Sequence, residues 1–117
     1  MLNGFRPSRI YIATGYSDLR KGIDGFAAVV QKEFNLDVFD DALFLFCGRR
    51  NDRIKGLYWD GNGFVLLYKR IEQGHFRWPR TGQEARLITG QQYEWLCAGF
   101  EIDPKNKPIN TEGLRFY

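Results

Sequence analysis

The alternation of apolar and polar positions divides the chain into short strands separated by turns. Residues 9–14 alternate apolar side chains with small or polar ones, which is typical of a strand. The apolar run of residues 42–47, followed by Gly48, predicts a buried strand. Residues 53–59 and 64–71 flank an Asp-Gly-Asn-Gly turn and are predicted to pair antiparallel.

Two further stretches complete the predicted sheet. Residues 75–78 are predicted as a short fourth strand of the meander, which Pro79 ends because proline cannot donate to the ladder. Residues 85–88 are predicted as one more strand.

Apolar residues at helical spacing predict a first helix after residue 16. Ser17 is its predicted N-cap, with Asp18 in the first turn. Gly22 and Gly25 are expected inside this helix, where they would allow another backbone to approach closely. The apolar stripe comprises Leu19, Ile23, Phe26, Ala27, Val30 and Phe34.

A second helix is predicted to begin at Thr89. Gln92 lies three residues further on, which is the spacing of a capping box. Gly99 is expected to end the helix. Its apolar face comprises Tyr93, Leu96 and Cys97.

These elements predict an α+β fold. The expected architecture is an antiparallel β-meander of four to six strands with two helices packed on one face. A chain of 117 residues suits one domain. We expect residues 1–102 to form a single compact domain and residues 103–117, which contain two prolines, to form an extended or mobile tail.

Composition narrows the classes of protein. No apolar run approaches the roughly 20 residues of a membrane span, and the first residues lack the apolar core of a signal peptide. We therefore expect a cytoplasmic protein without a membrane partner. Cys47 and Cys97 are predicted to be buried free thiols, and with His75 as the only histidine no zinc site is expected. No cofactor and no small-molecule substrate are expected.

The net charge is only +3, so the position of the basic residues matters more than their number. In an antiparallel meander, the end of the strand at 42–47, the start of 53–59 and the end of 64–71 lie together. This arrangement would gather basic residues at one end of the sheet: Arg49, Arg50, Arg53, Lys55, Lys69, Arg70, His75 and Arg77. Arg20 and Lys21, near the start of the first helix, are predicted to extend this cluster because a helix N-terminus favours anions.

Aromatic residues are interleaved with these cations. Such a mixture suits nucleic acid, in which cations hold phosphates and rings stack on exposed bases. The aromatic residues predicted to stack or to form an interface are Trp59, Tyr68, Phe76 and Trp78. The same pattern is equally compatible with a solvated basic rim whose aromatic rings point into the core.

The sequence contains no pattern that predicts catalysis. Its aspartates are scattered, and no nucleophile motif or glycine-rich phosphate loop is present. His75 is interpreted as a surface residue. We predict no catalytic residues.

Three motifs give the chain a family resemblance. They read D-x-R-K-x-I-D-G at residues 18–25, F-C-x-R-R-x-D-R-x-K at 46–55, and Y-W-D-G-x-G-F-x-L-x-Y-K-R-x-E-x-G-x-F-x-W-P at 58–79. In this order they resemble the accessory protein encoded by the second open reading frame of bacterial insertion sequences of the IS-sixty-six type. The resemblance covers most of residues 9–100. It implies a helper in transposition that acts beside a separate, larger transposase, and it transfers no catalytic residues.

Three hypotheses follow. The first is a non-enzymatic accessory protein that binds DNA through the basic end of the sheet and assists the transposase. The second is a protein-interaction module that docks on the transposase without binding DNA, with Trp59 and Tyr68 as anchors. The third is a metal-dependent nuclease that uses Asp18, Asp24 or Asp52.

Overall fold

The computed structural model describes residues 7–103, which contain five strands and two helices. The strands are β1 (Arg9–Ala13), β2 (Ala42–Cys47), β3 (Arg53–Trp59), β4 (Phe64–Arg70) and β5 (Ala85–Ile88). The helices are α1 (Ile23–Ala28), which continues as a π-helical turn over Val29–Glu33, and α2 (Gly90–Cys97). The predicted α+β class is therefore confirmed.

The sheet is mixed, so the prediction of a purely antiparallel meander is wrong. The strand order is β4-β3-β2-β1-β5, and only the β2-β3-β4 part follows the predicted meander. β1 runs parallel to β2, with Ile10 opposite Leu43, and antiparallel to β5. The physical reason is the long connection through α1, because parallel neighbours require such a crossover whereas hairpins do not.

The core consists of two clusters, one on each face of the sheet. All six residues of β2 are buried, and alternate residues point to opposite faces. Leu43 and Leu45 share a cluster with Leu96 of α2. Phe44 shares the other cluster with Phe26 of α1. The helices therefore pack on opposite faces, here called the α1 face and the α2 face, and not on one face as predicted.

The first helix begins later than its apolar stripe predicts. Its N-cap is Gly22, with extended backbone and no side-chain cap, so Ser17 is not the cap. Residues 15–22 instead form a loop in which the Ser17 amide donates to the carbonyl of Cys47 at 2.9 Å. At Gly22, nothing lies within 4 Å of an added Cβ, so the expected close approach of a second backbone is absent there. At Gly25, the nearest atoms to an added Cβ belong to the side chain of Lys21.

The second helix is as predicted. The Thr89 hydroxyl accepts a bond from the Gln92 amide at 3.0 Å, and the Gln92 side chain accepts one from the Thr89 amide at 2.9 Å. This reciprocal capping box satisfies two donors that a helix start otherwise leaves open. Gly99 follows the helix with φ +88°, as expected for a terminating glycine.

The strand predicted at residues 75–78 is absent from the described part of the chain. This segment is irregular, and its Phe76 amide donates to the carbonyl of Asn51. Phe76 and Trp78 alternate into the α2-face cluster, which explains why the pattern resembles a strand. The predicted tail lies outside the described residues except for Asp103, and the domain boundary at residue 102 stays a prediction.

The loop after β1 depends on Gly15, and Gly74, which also has a positive φ, provides a matched control. Gly15 has φ +80°, and an added Cβ would lie 2.5 Å from the carbonyl oxygen of Gly82. Gly74 has φ +77° with open space around its Cβ position. Gly74→Ala should lower the free energy of unfolding by about 1–2 kcal/mol, the cost of the left-handed region. Gly15→Ala should lower it further because the clash is added, and equal losses in urea unfolding would contradict this account.

Candidate nucleic-acid interface

One end of the sheet gathers basic residues because several chain segments meet there. β2 ends at Cys47 and β3 begins at Arg53, directly opposite the last residue of β4, Arg70. β1 also ends here, since it runs parallel to β2. The loop of residues 15–22 that follows β1 therefore lies beside the tip between β2 and β3, with an added Cβ at Gly48 only 3.3 Å from Leu19.

These segments enclose an open groove of about 720 Å³ on the α1 face. It is lined by six of the residues predicted from sequence: Arg20, Arg49, Arg50, Arg53, Lys55 and Tyr68. Leu19 and Leu66 lie among them and give the groove an apolar component. Of all the lining residues, five are cationic and only Asp18 is anionic. We call this surface the basic groove.

Strand alternation decides which predicted residues reach the groove. Tyr68 pairs with Lys55 in the β3-β4 ladder, so both side chains lie on the α1 face. Lys69 pairs with Ile54, which belongs to the α2-face cluster, and so points away from the groove. Arg77 lines a different cavity, of about 370 Å³, beside His75. Lys69, Arg77 and His75 are therefore not part of the basic groove.

Two other predicted residues lie at its margin. Arg70 is exposed and forms an ion pair with Glu72 at 2.9 Å, which raises the pKa of the guanidinium. Lys21 does not line the groove, but its carbonyl accepts a bond from the Lys55 ammonium at 3.4 Å. Because α1 begins at Ile23, neither Lys21 nor Arg20 lies in the first turn of a helix. The helix-dipole argument for these two cations is therefore wrong.

Carboxylates neutralise part of the groove. Asp18 accepts two bonds from the Arg20 guanidinium, both at 2.9 Å, and these bonds hold the pKa of Asp18 well below its usual range. Asp52 does the same for Arg53, at 3.1 and 3.4 Å, and the bond to Arg53 lowers the pKa of Asp52. Arg50 lies 4.0 Å from Asp52, at the limit of an ion pair. These pairs orient the arginines without cancelling the positive excess.

Arg80 and Tyr16 support the groove and were missed by sequence analysis. Arg80 donates to the carbonyls of Gly15 and Gly48, at 2.7 and 2.5 Å, and to the side chain of Asn51. Its Cζ lies 4.3 Å from the centroid of the Tyr16 ring, and that of Arg49 lies 5.0 Å from the same centroid. Arg80 therefore ties the loop after β1 to the tip and positions Arg49 through a shared ring. No local pattern signals this role.

Three of the four predicted aromatic residues lie elsewhere. Phe76 is 1% exposed and Trp78 is 5% exposed, and the Trp78 indole donates to the carbonyl of Ala13 at 2.9 Å. Their rings cannot stack on a base, so that prediction is wrong for both. Trp59 lies at the opposite end of β3, where its ring packs edge-on against Phe39 and Phe64. Tyr68 alone lines the groove, with 54% of its surface exposed.

Within residues 7–103, no three or more His, Cys, Asp and Glu side chains gather in a way that could hold a metal ion. Both cysteines are free, with Cys47 buried and Cys97 only half-buried. Burial raises the pKa of the Cys47 thiol to about 11. None of the helices in the same residues is long and apolar enough to cross a membrane.

The fold and the groove define a small α+β protein with a cationic, partly aromatic surface, a class of surface that suits polyanions. The chain belongs to the family of IS66 Orf2 like proteins, whose family model matches residues 8–107. The resemblance inferred from the three motifs is thus confirmed, and membership implies an accessory role in transposition.

Two curated relatives from Sinorhizobium fredii are similar to this chain. The uncharacterized protein y4hO is 36% identical over 101 residues, which cover 86% of this chain and 88% of the relative. The uncharacterized protein y4jC is 33% identical over 110 residues, which cover 93% and 94% respectively. No solved structure matches the chain.

Proposed function

We propose that this protein is a non-enzymatic accessory subunit of transposition that binds DNA through the basic groove. The observation that carries the proposal is that cations from separate segments of the chain converge on one groove. The loop after β1, the tip between β2 and β3, and the paired strands β3 and β4 bring five cations and one exposed tyrosine to a single groove.

The chemistry of the groove favours a phosphate backbone. Four of its five cations are arginines, whose planar guanidinium presents two parallel donors to phosphate oxygens. Gathering like charges disfavours the folded state unless a partner compensates them. Arg53 and Arg70 face each other directly across the β3-β4 ladder, where like charges are destabilising, although each also forms an ion pair, with Asp52 and Glu72 respectively. A polyanion relieves that repulsion, and the family's role in transposition makes DNA the relevant polyanion.

Fluorescence anisotropy with labelled DNA across a salt series tests the proposal. We expect log affinity to fall linearly with log salt, with a slope of about 0.9 for each phosphate neutralised on a duplex. Comparing the end of the element with a random sequence separates a subunit that recognises the end from a general DNA clamp. Absence of binding to both duplex and single-stranded DNA at low salt would contradict the proposal.

A second function, docking on the transposase, is favoured by a different surface. Phe39, Trp59 and Phe64 form a cluster of rings at the end of the sheet opposite the groove, with centroids 4.9 to 5.6 Å apart. Phe39 is 53% exposed there. Tyr, Trp and Phe are enriched in the cores of protein interfaces, so this cluster is the proposed contact with the transposase. A pull-down of the transposase that survives nuclease treatment and is lost in Phe39→Ser would support docking, and its loss on nuclease treatment would contradict it.

A further inference from the structure

The basic groove contains more apolar surface than a phosphate clamp requires. Leu19, Leu66 and Tyr68 lie among the cations that line it. Double-stranded DNA presents phosphates on its outside and keeps the faces of its bases stacked. Contact with the duplex backbone would therefore leave this apolar component without a partner.

Tyr68 is the residue that a duplex backbone does not explain. It lies on β4, an edge strand, with 54% of its surface exposed. The Lys55 ammonium lies 5.8 Å from the centroid of its ring, so a cation and an aromatic surface are adjacent. A nucleotide requires both, since its phosphate is anionic and its base offers a flat apolar face.

The size of the groove sets the scale of the ligand. Its volume of about 720 Å³ falls within the ~300–1,000 Å³ of pockets that hold small molecules. A groove of this size suits one or two nucleotides. The exposed Arg49 and Arg50 stand at its rim on the tip between β2 and β3, where phosphates on either side of a bound base would pass.

We propose that the basic groove binds an unpaired nucleotide of a DNA strand, with the base stacked on Tyr68 and the flanking phosphates on Arg49 and Arg50. This inference rests on the proposed function and specifies its ligand. A protein of this kind would favour DNA with a frayed, nicked or overhanging end over continuous duplex.

The test compares Tyr68→Leu with the unaltered protein on labelled DNA of three forms: single strand, blunt duplex, and duplex with a short single-stranded overhang. We expect the unaltered protein to bind single strand and overhang at least ~10-fold more tightly than blunt duplex. Tyr68→Leu should weaken binding of these two forms by about 5- to 150-fold, the range that stacking on one aromatic side chain provides. Its affinity for blunt duplex should not change.

Two variants control the experiment. Tyr68→Phe keeps the ring and should retain the preference for unpaired DNA. Phe100→Leu removes another exposed ring, 63% against 54%, which follows Gly99 after α2, and it should leave all three affinities unchanged. Circular dichroism and urea unfolding of each variant establish that it folds.

The outcomes separate the two proposals. Equal affinity for the three forms of DNA, or an unchanged preference in Tyr68→Leu, would overturn the inference and leave the proposed function standing. Failure to bind any of the three forms would overturn both.

Discussion

Replacing Arg49 and Arg50 together with glutamine is expected to weaken DNA binding at least ~10-fold at moderate salt. Both residues line the basic groove, and the Arg50 side chain is 77% exposed. Each cation that contacts a phosphate releases a counterion, so losing two should reduce the slope of log affinity against log salt by about 2. Anisotropy over a salt series measures both quantities.

The double variant Lys69→Gln/Arg77→Gln is the matched control. It also removes two positive charges, but Lys69 is on the α2 face and Arg77 lines the other cavity. We expect a much smaller loss of affinity and an almost unchanged salt slope. Equal losses of affinity in the two double variants would mean that binding depends only on the net charge of the protein. That result would contradict the basic groove as the interface.

Trp78→Ala is expected to lower the free energy of unfolding by about 3–5 kcal/mol, the usual cost of truncating a large buried aromatic residue. The Trp78 ring belongs to the α2-face cluster, and its indole donor holds the carbonyl of Ala13 at the end of β1. Trp78→Phe should cost less, because it keeps most of the apolar contact and loses the hydrogen bond and the smaller part of the ring. Urea unfolding at neutral pH measures both values.

The same pair of variants decides between the two interpretations that the sequence allowed for Trp78. If Trp78 is buried, Trp78→Ala lowers the free energy of unfolding, and the fraction that remains folded binds DNA normally. A ring that stacks on bases would instead give Trp78→Ala near-normal stability and weak DNA binding. That second result would contradict the burial of Trp78 described here.

Local patterns predicted those features of the fold whose determinants are close in sequence. β2, β3 and β4 were predicted within one residue, because their apolar runs end at turn residues such as the Asp-Gly-Asn-Gly that follows Trp59. The capping box at Thr89 was predicted because it needs only two residues three positions apart. The antiparallel pairing of β2, β3 and β4 follows from short connections, and with it the gathering of Arg49, Arg50, Arg53 and Lys55 at one end.

The sequence argument failed where the same alternation of residues fits both an exposed face and a buried one. Phe76, Arg77 and Trp78 alternate like a strand with an aromatic face, and alternation does not state whether that face meets solvent or a core. The first helix failed for a related reason. Leu19 packs against the α1-face cluster from a loop, so its helical spacing from Ile23 does not mean that it belongs to the helix.

The sequence by itself determined the α+β class, the strands of the hairpins, the cap of α2 and the family, because each depends on neighbours or on ordered motifs. Only the tertiary structure decided the parallel pairing of β1 with β2, which brings the loop of residues 15–22 to the tip. It also decided that Lys69 turns away and that Arg80, 65 residues from Gly15, bonds to its carbonyl. The physical reason is that the groove is made by contacts across the sheet. Local spacing separates the two faces of a strand, but it states neither which face carries the groove nor which distant residue is a partner.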